Sequence, residues 1–199
     1  MRAYRPFQSG FTLIELLITI AILVVLVVMA APSFVDTLDR RRIVDAAETL
    51  SKQVQQARAV AIESSREVSM IFDDSEATWC FGLTDAAGCD CYETNPAESN
   101  ACRIPLGALG NLAGTDYELV RASGDDFRGV TLQSFPTGLR FEPMRGVRVD
   151  AGAPTVEIAF VSLRGREARV IVNRLGRVGT CSPADGGGNP SVTTMRVCP

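Results

Sequence analysis

The chain opens with a run of apolar residues, and a longer stretch with a single apolar face follows it. From Phe11 to Ala31 there are 21 residues with one charge, Glu15, and with neither proline nor glycine. A membrane-spanning helix needs about 20 consecutive apolar residues, so this run predicts a helix long enough to cross a bilayer. A carboxylate inside such a helix is costly unless it is paired. Glu15 is therefore a candidate functional residue whose partner is expected to be a positive group.

Beyond Pro32 the apolar residues recur mostly at three- and four-residue spacing, which predicts that the helix continues with one buried stripe. We expect a single helix from about Phe11 to about Ser64. Because proline lacks an N–H and clashes with the preceding turn, a kink is expected near Val28 to Pro32. The stripe contains Leu38, Ile43, Val44, Ala47, Leu50, Val54, Ala57 and Ala61.

After Ser65 the pattern changes to short β-like runs separated by Gly, Pro, Asp and Asn, which is typical of strands. Two of these runs flank Arg164-Gly165-Arg166, which predicts a hairpin. One long helix followed only by strands predicts an α+β fold, in which the kinked N-terminal helix packs on antiparallel sheet. The predicted strands are Val68–Phe72, Thr78–Leu83, Tyr117–Arg121, Val130–Ser134, Leu139–Glu142, Val147–Asp150, Thr155–Val161 and Ala168–Asn173.

The same pattern divides the chain into four segments: a short basic leader (1–10), the apolar helix (11–31), its amphipathic continuation (32–64) and a β-rich globular domain (65–199). The formal net charge is only −3, but the charges are unevenly distributed. From residue 63 to 102 there are nine acids and one base, whereas from 139 to 180 there are eight arginines and four acids. We therefore expect an acidic end and a basic end, most simply two solvated faces.

Six cysteines suggest disulfides and hence an oxidising compartment, which places the globular domain outside the cytoplasm and the leader inside it. Six cysteines allow 15 pairings, among which the sequence does not choose. A bridge between Cys181 and Cys198 is favoured because both flank one loop rich in Gly, Pro and Ser. The other four would then pair among themselves: Cys80, Cys89, Cys91 and Cys102. The Cys-x-Cys spacing and the absence of histidine disfavour zinc, so no metal site is predicted.

No sequence pattern predicts an enzyme. Because the chain has no histidine, Ser/His/Asp and Cys/His catalysis are excluded. The glycine run 186–188 lacks the lysine and the helix of a phosphate-binding loop. The acidic pairs at 73–74 and 125–126 are read as turn residues rather than as a calcium site. We therefore expect no catalytic residues and no cofactor.

The segment Gly10-Phe11-Thr12-Leu13-Ile14-Glu15, preceded by Arg2 and Arg5, resembles the class III signal of type IV pilins and type II secretion pseudopilins. The resemblance implies that a prepilin peptidase cuts between Gly10 and Phe11 and that the new amine of Phe11 is methylated. It also implies that Glu15 pairs with this amine on a neighbouring subunit during filament assembly.

One further residue agrees with this resemblance: Pro32 matches the helix-kinking proline that often follows the apolar run in that superfamily. The alternative interpretation of the N-terminal segment is an ordinary secretory signal that ends near Ala31. The apolar run is too long for such a signal, and Glu15 would be unexplained in it.

The second half of the domain resembles the GspH/FimT family of minor pilins and pseudopilins. The resemblance rests on Leu139–Gly146, on the hairpin after it and on Val172–Val178, although Gly146 stands one residue later than is typical. It implies a structural subunit of a type IV pilus or of a type II secretion pseudopilus. The implied partners are prepilin peptidase, other pilins or pseudopilins and the inner membrane, with the C-terminal domain in the periplasm before the subunit enters a filament.

DNA is the alternative partner that this family suggests. Some FimT-type minor pilins resemble DNA receptors in natural transformation and use a Gly-Arg-x-Arg turn. The matching stretch here is Gly176-Arg177-Val178-Gly179, so the second arginine is missing, which counts against DNA binding. Because phosphate contacts need only clustered positive charge, the alternative function is a DNA-binding tip subunit. Its predicted contacts are Arg164, Arg166, Arg169, Arg174 and Arg177.

Overall fold

The computed structural model describes residues 11–105, 117–150, 152–184 and 191–199. Within these ranges the long helix α1, Leu13–Ser64, is followed by ten strands. The leader with Gly10 and the glycine run 186–188 lie outside the described residues. The strands are β1 Val68–Asp73, β2 Cys80–Thr84, β3 Arg103–Pro105, β4 Tyr117–Leu119, β5 Arg121–Ser123, β6 Val130–Ser134, β7 Gly138–Phe141, β8 Thr155–Ser162, β9 Glu167–Asn173 and β10 Val178–Cys181.

The chain divides into two units, residues 1–38 and residues 39–199. In the first unit the large apolar side chains of the described helix are exposed from Leu13 to Met29. No single described helix is long and apolar enough to cross a membrane, but two segments on either side of a 40° bend qualify together by length and composition, Leu13–Met29 and Ser33–Ser64. The side chain of Pro32 lies outside the description, so its role in a kink stays a prediction.

In the second unit the helix buries one stripe. Because an α-helix has 3.6 residues per turn, residues three and four apart lie on one face. The stripe predicted from Ile43 to Ala61 is confirmed, with Val44 only partly buried. The prediction missed Ala46 and Gln53, which are buried on the same helix. The fully buried stripe residues are Ile43, Ala46, Ala47, Leu50, Val54, Ala57 and Ala61.

Three antiparallel sheets make up the strand part of the described chain. The first has the order β5-β2-β1-β7, the second β10-β9-β8-β6, and β3 pairs with β4. This arrangement confirms the α+β prediction. The hairpin predicted at residues 164–166 is also confirmed, because β8 and β9 pair from Val161 with Glu167 outward.

An aromatic cluster joins the first two sheets. The ring of Trp79 lies 5.7 Å from that of Phe81 on β2 and 5.4 Å from that of Phe160 on β8. The indole Nε1 donates a 2.8 Å hydrogen bond to the carbonyl of Val130 on β6. Because a buried indole N–H needs a partner, this bond fixes the orientation of the ring between the sheets.

Several strand predictions were wrong in detail. The predicted strand 117–121 is two strands, β4 and β5. The predicted strand 147–150 is not a strand. Arg148 makes an isolated bridge with Phe141, and its own backbone N–H donates to the carbonyl of Arg174. The prediction missed β3, which has only three residues, and β10, which contains Gly179, a residue that weakens a strand signal.

All six cysteines are paired. Cys181 bonds to Cys198, the pair that the sequence favoured. The other four are bonded as Cys80 to Cys91 and Cys89 to Cys102, so two bridges hold the loop after β2 at two points.

The buried stripe of α1 gives a direct test of this packing. We expect Leu50→Ala to lower the free energy of unfolding by about 2–5 kcal/mol, because it removes most of a fully buried side chain and leaves a cavity in its place. Leu175→Ala, at a leucine that is 56% exposed, is the matched control and should change it by less than about 0.5 kcal/mol. Urea unfolding of the full chain in detergent micelles measures both. Equal effects would show that the helix does not pack as described.

Candidate filament-assembly site and arginine surface

The first turn of α1 is capped by the side chain of Thr12. The hydroxyl of Thr12 accepts a 3.3 Å hydrogen bond from the backbone N–H of Glu15. A threonine before the first helical residue with a glutamate three positions later is the capping-box pattern. This signal, Thr12-x-x-Glu15, is readable in the sequence but was not among the predicted features. In the structure Thr12 supplies the capping side chain, and Glu15 contributes only its backbone N–H.

The carboxylate of Glu15 has no hydrogen bond or ion pair with any side chain in the part of the chain that the structure describes. Its neighbours Phe11, Leu13 and Ile14 are apolar and are 86%, 77% and 66% exposed. The charge therefore lies in an apolar surface without a partner among the described residues.

The five arginines proposed for DNA binding do not form one cluster. Arg164 and Arg166 lie at the β8–β9 turn, whereas Arg174 and Arg177 follow the other end of β9. The seven residues of β9 separate the two pairs by about 20 Å, at roughly 3.3 Å per residue.

Two of these arginines are also engaged with acids. Arg166 donates to Asp39 at 3.0 Å in a pair that is largely shielded from solvent. Arg169 contacts Glu167 at 2.6 Å and Glu157 at 3.1 Å. The hydrogen bond that it donates to Glu167, together with the charges of both acids, outweighs burial and raises the pKa of Arg169. Their positive charge is therefore balanced within the domain.

The two stretches that carry the GspH/FimT resemblance meet at the end of the helix. Gly146 and Gly176 both have positive φ, 61° and 72°. The carbonyl of Gly146 accepts a 2.9 Å hydrogen bond from Nε of Arg58 on α1. A Cβ on Gly176 would lie 2.6 Å from that nitrogen and 2.7 Å from that carbonyl oxygen. Only glycine fits here, so the glycine of the Gly-Arg turn has a packing role.

Arg148, which follows the turn that contains Gly146, is buried and donates five hydrogen bonds. Arg148 is 3% exposed, and its guanidinium binds both carboxylate oxygens of Asp150, at 2.9 and 2.6 Å. It also donates to the carbonyls of Val172 and Ala153, and its backbone N–H donates to Arg174. A buried guanidinium needs such complete pairing. The pattern of Arg148-x-Asp150 within a charged stretch gave no sign of this burial.

Burial alone would raise the pKa of Asp150, but the hydrogen bonds and charge of Arg148, with backbone hydrogen bonds, hold it below its ordinary value. A lowered pKa in the folded state means that the ionised form stabilises the fold. This stabilisation is present above the unfolded-state pKa near 4 and is lost as pH falls through the lower folded-state pKa.

Comparison with known proteins decides the family. Residues 5–31 match the prokaryotic N-terminal methylation motif. Residues 46–176, about two thirds of the chain, match the family described as type II transport protein GspH. The chain belongs to the GspH family. It is a minor pilin or pseudopilin, and the methylation motif and the apolar helix that follows it mark the segment that anchors the chain in a membrane.

Two solved structures match the chain at low identity. A crystal structure of the type IV minor pilin FimU from Pseudomonas aeruginosa PAO1 is 17% identical to this GspH-family chain; the match covers 76% of this chain and 91% of that one, with a TM-score of 0.42. A second crystal form of FimU is 15% identical and covers 68% and 90%, with a TM-score of 0.39. No curated relative matches the chain significantly.

The Arg148–Asp150 pair predicts a pH-dependent stability. We expect Asp150→Asn to lower the free energy of unfolding at pH 7 by about 3 kcal/mol, because it leaves the Arg148 charge buried and uncompensated. The deficit should shrink as the pH falls below about 4, where the unmodified chain also loses the ionised partner.

Glu142→Gln is the matched control, because its pair with Arg145 is exposed on the arginine side. This change should cost less than about 1 kcal/mol. Denaturant unfolding at a series of pH values measures both variants, and a deficit of Asp150→Asn that does not change with pH would contradict the assignment.

Proposed function

We propose that this GspH-family protein is a filament subunit that prepilin peptidase cuts between Gly10 and Phe11 and that carries N-methyl-Phe11 in its mature form. The apolar segment 11–31 holds it in the inner membrane, with residues 65–199 in the periplasm, until it joins other pilins or pseudopilins. Glu15 then pairs with the methylated amine of Phe11 on a neighbouring subunit. The function is structural, and the proposal includes no catalytic step.

The observation that supports this proposal is the isolated charge of Glu15. From Leu13 to Met29 the helix exposes its large apolar side chains, and Glu15 is the one acid in this segment. An unpaired carboxylate in apolar surroundings costs several kcal/mol, and a pairing amine removes this cost. Only a subunit in the correct axial register brings an amine to this position, so the pair would act as a check on assembly.

DNA capture is not advanced as a second function. Its five candidate arginines are divided between two ends of β9, and two of them are paired with acids. Phosphate binding needs a continuous positive surface that can neutralise several phosphates at once.

The charge of Glu15 can be separated from the shape of its side chain. Glutamine has nearly the same shape, and the cap by Thr12 uses only the backbone N–H of residue 15, so Glu15→Gln keeps the cap and removes the charge. We expect both Glu15→Ala and Glu15→Gln to leave the protein in the membrane but absent from sheared filaments. Glu48 is an exposed acid on the same helix that pairs with Lys52, so Glu48→Ala is the control and should be incorporated normally. Normal incorporation of Glu15→Gln would exclude a charge-dependent role.

Processing gives an independent prediction. Mass spectrometry of the mature protein should find an N-terminal peptide that begins at Phe11 and carries one added methyl group. A chain that retains Met1, or one that begins at Ala31 or Pro32, would exclude the proposed maturation.

A further inference from the structure

The two turns that meet at Arg58 present an apolar and basic surface. We call residues 142–147 and 173–177 the turn pair. Met144 is 86% exposed, Leu175 is 56% exposed, and Ile62 of α1, 47% exposed, lies against Gly146. Large exposed apolar side chains brought together in this way are typical of interaction sites rather than of ordinary surface.

The charge of the turn pair is positive. Arg145 is balanced by Glu142 within its own turn. Among the described residues, the side chain of Arg174 donates one hydrogen bond, to the carbonyl of Gly152, and the side chain of Arg177 forms no hydrogen bond or ion pair. Neither forms an ion pair there, so the turn pair offers two uncompensated guanidinium groups beside its apolar residues.

Both turns are held rigidly. Their ends are closed by backbone hydrogen bonds, from Glu142 to Val147 and from Asn173 to Arg177. Arg58 and the contact between the two glycines fix one turn against the other. A preorganised surface loses little conformational entropy when it binds, which favours a docking role.

An acidic counterpart lies elsewhere in the same domain, around Tyr92. The hydroxyl of Tyr92 donates to the carbonyl of Thr78 and accepts from the N–H of Glu76, so the β1–β2 turn and the loop after β2 meet there. Burial, offset in part by that hydrogen bond, and the charges of Asp73 and Glu76 raise the pKa of Tyr92. None of the acids of this tyrosine face forms an ion pair within the described residues: Asp73, Asp74, Glu76, Asp90 and Glu93.

The two surfaces lie at opposite ends of the first sheet. In β1, Val68 pairs with Phe141, which directly precedes the turn pair, and Asp73 pairs with Cys80 at the tyrosine face. The six residues of β1 separate these ends by about 17 Å. The disulfide from Cys80 to Cys91 holds the loop that carries Asp90 and Glu93 at this end.

We propose that the turn pair docks on the tyrosine face of a second copy of this chain, with Arg174 and Arg177 opposite the acids and Met144 and Leu175 buried between them. Because the two surfaces are different and lie at opposite ends, the contact is head-to-tail and can repeat along an open stack rather than close as a dimer. This inference rests on the proposed filament role, since an open stack is what a filament subunit requires.

Charge reversal tests the contact between two copies of the full chain in detergent micelles. This test requires neither cleavage of the leader nor assembly of a filament. We expect self-association, followed by sedimentation at low salt, to weaken about tenfold in Arg174→Glu/Arg177→Glu and in Asp74→Arg/Glu76→Arg. A mixture of the two variants should regain it, because the acidic turn pair of one then meets the basic tyrosine face of the other. Raising the salt to 0.5 M should weaken the contact of the unmodified chain.

Arg128→Glu/Arg164→Glu makes the same charge change at exposed positions outside both surfaces and should associate like the unmodified chain. Thermal unfolding of each variant, followed by circular dichroism, verifies that it folds. Unchanged association of the turn-pair variant, or a mixture that does not regain association, overturns the inference. Either result leaves the Glu15 and N-terminal tests of the filament role untouched, because those concern the apolar segment.

Discussion

One helix has to satisfy two different surroundings, and the rest of the structure follows from this constraint. Its first half is apolar on every side, and its second half buries only one stripe, where five of the seven fully buried residues are alanine or valine. Small side chains allow the strands to approach the helix closely, so the buried core is continuous from α1 to the aromatic cluster of Trp79, Phe81 and Phe160. The domain is thus built on the helix and could not keep this core without it.

The far end of the same helix fixes the part of the domain by which the family can be recognised. Arg58 reaches the turn that contains Gly146, and Gly176 packs against both. The resemblance suggested a ligand-binding role for the Gly-Arg turn, but the contacts give the glycine a structural one: it lets two turns and a helix meet where a side chain would collide. Arg177, the other half of that motif, remains exposed, and its place is on a docking surface rather than in a cluster of arginines.

The buried Arg148 explains why a charged stretch failed as a strand prediction. Residues 147–150 alternate in a way that fits an exposed strand, but the arginine turns inward and is paired with Asp150 and with backbone carbonyls from two other segments. A lone Arg-x-Asp pattern is far more often a solvated pair, so no local rule would have placed it in the interior. Two short strands were missed for a related reason. β3 has only three residues and β10 contains an interior glycine, so neither shows enough alternation of apolar and polar residues to be predicted as a strand.

What the sequence by itself determined is whatever depends on local spacing: the apolar run with its single acid, the helical stripe, the β8–β9 hairpin and the α+β class. It also favoured, without fixing, the bridge across the C-terminal loop. These features follow from the periodicity of apolar residues and from interactions between residues that are close together in the sequence. Only the tertiary structure decided which cysteines of the remaining four are bonded, that the arginines around β9 are divided and partly paired, and that the two motifs meet on Arg58. Each of these depends on residues far apart in the chain, whose distances are set by sheet order and register rather than by the residues between them.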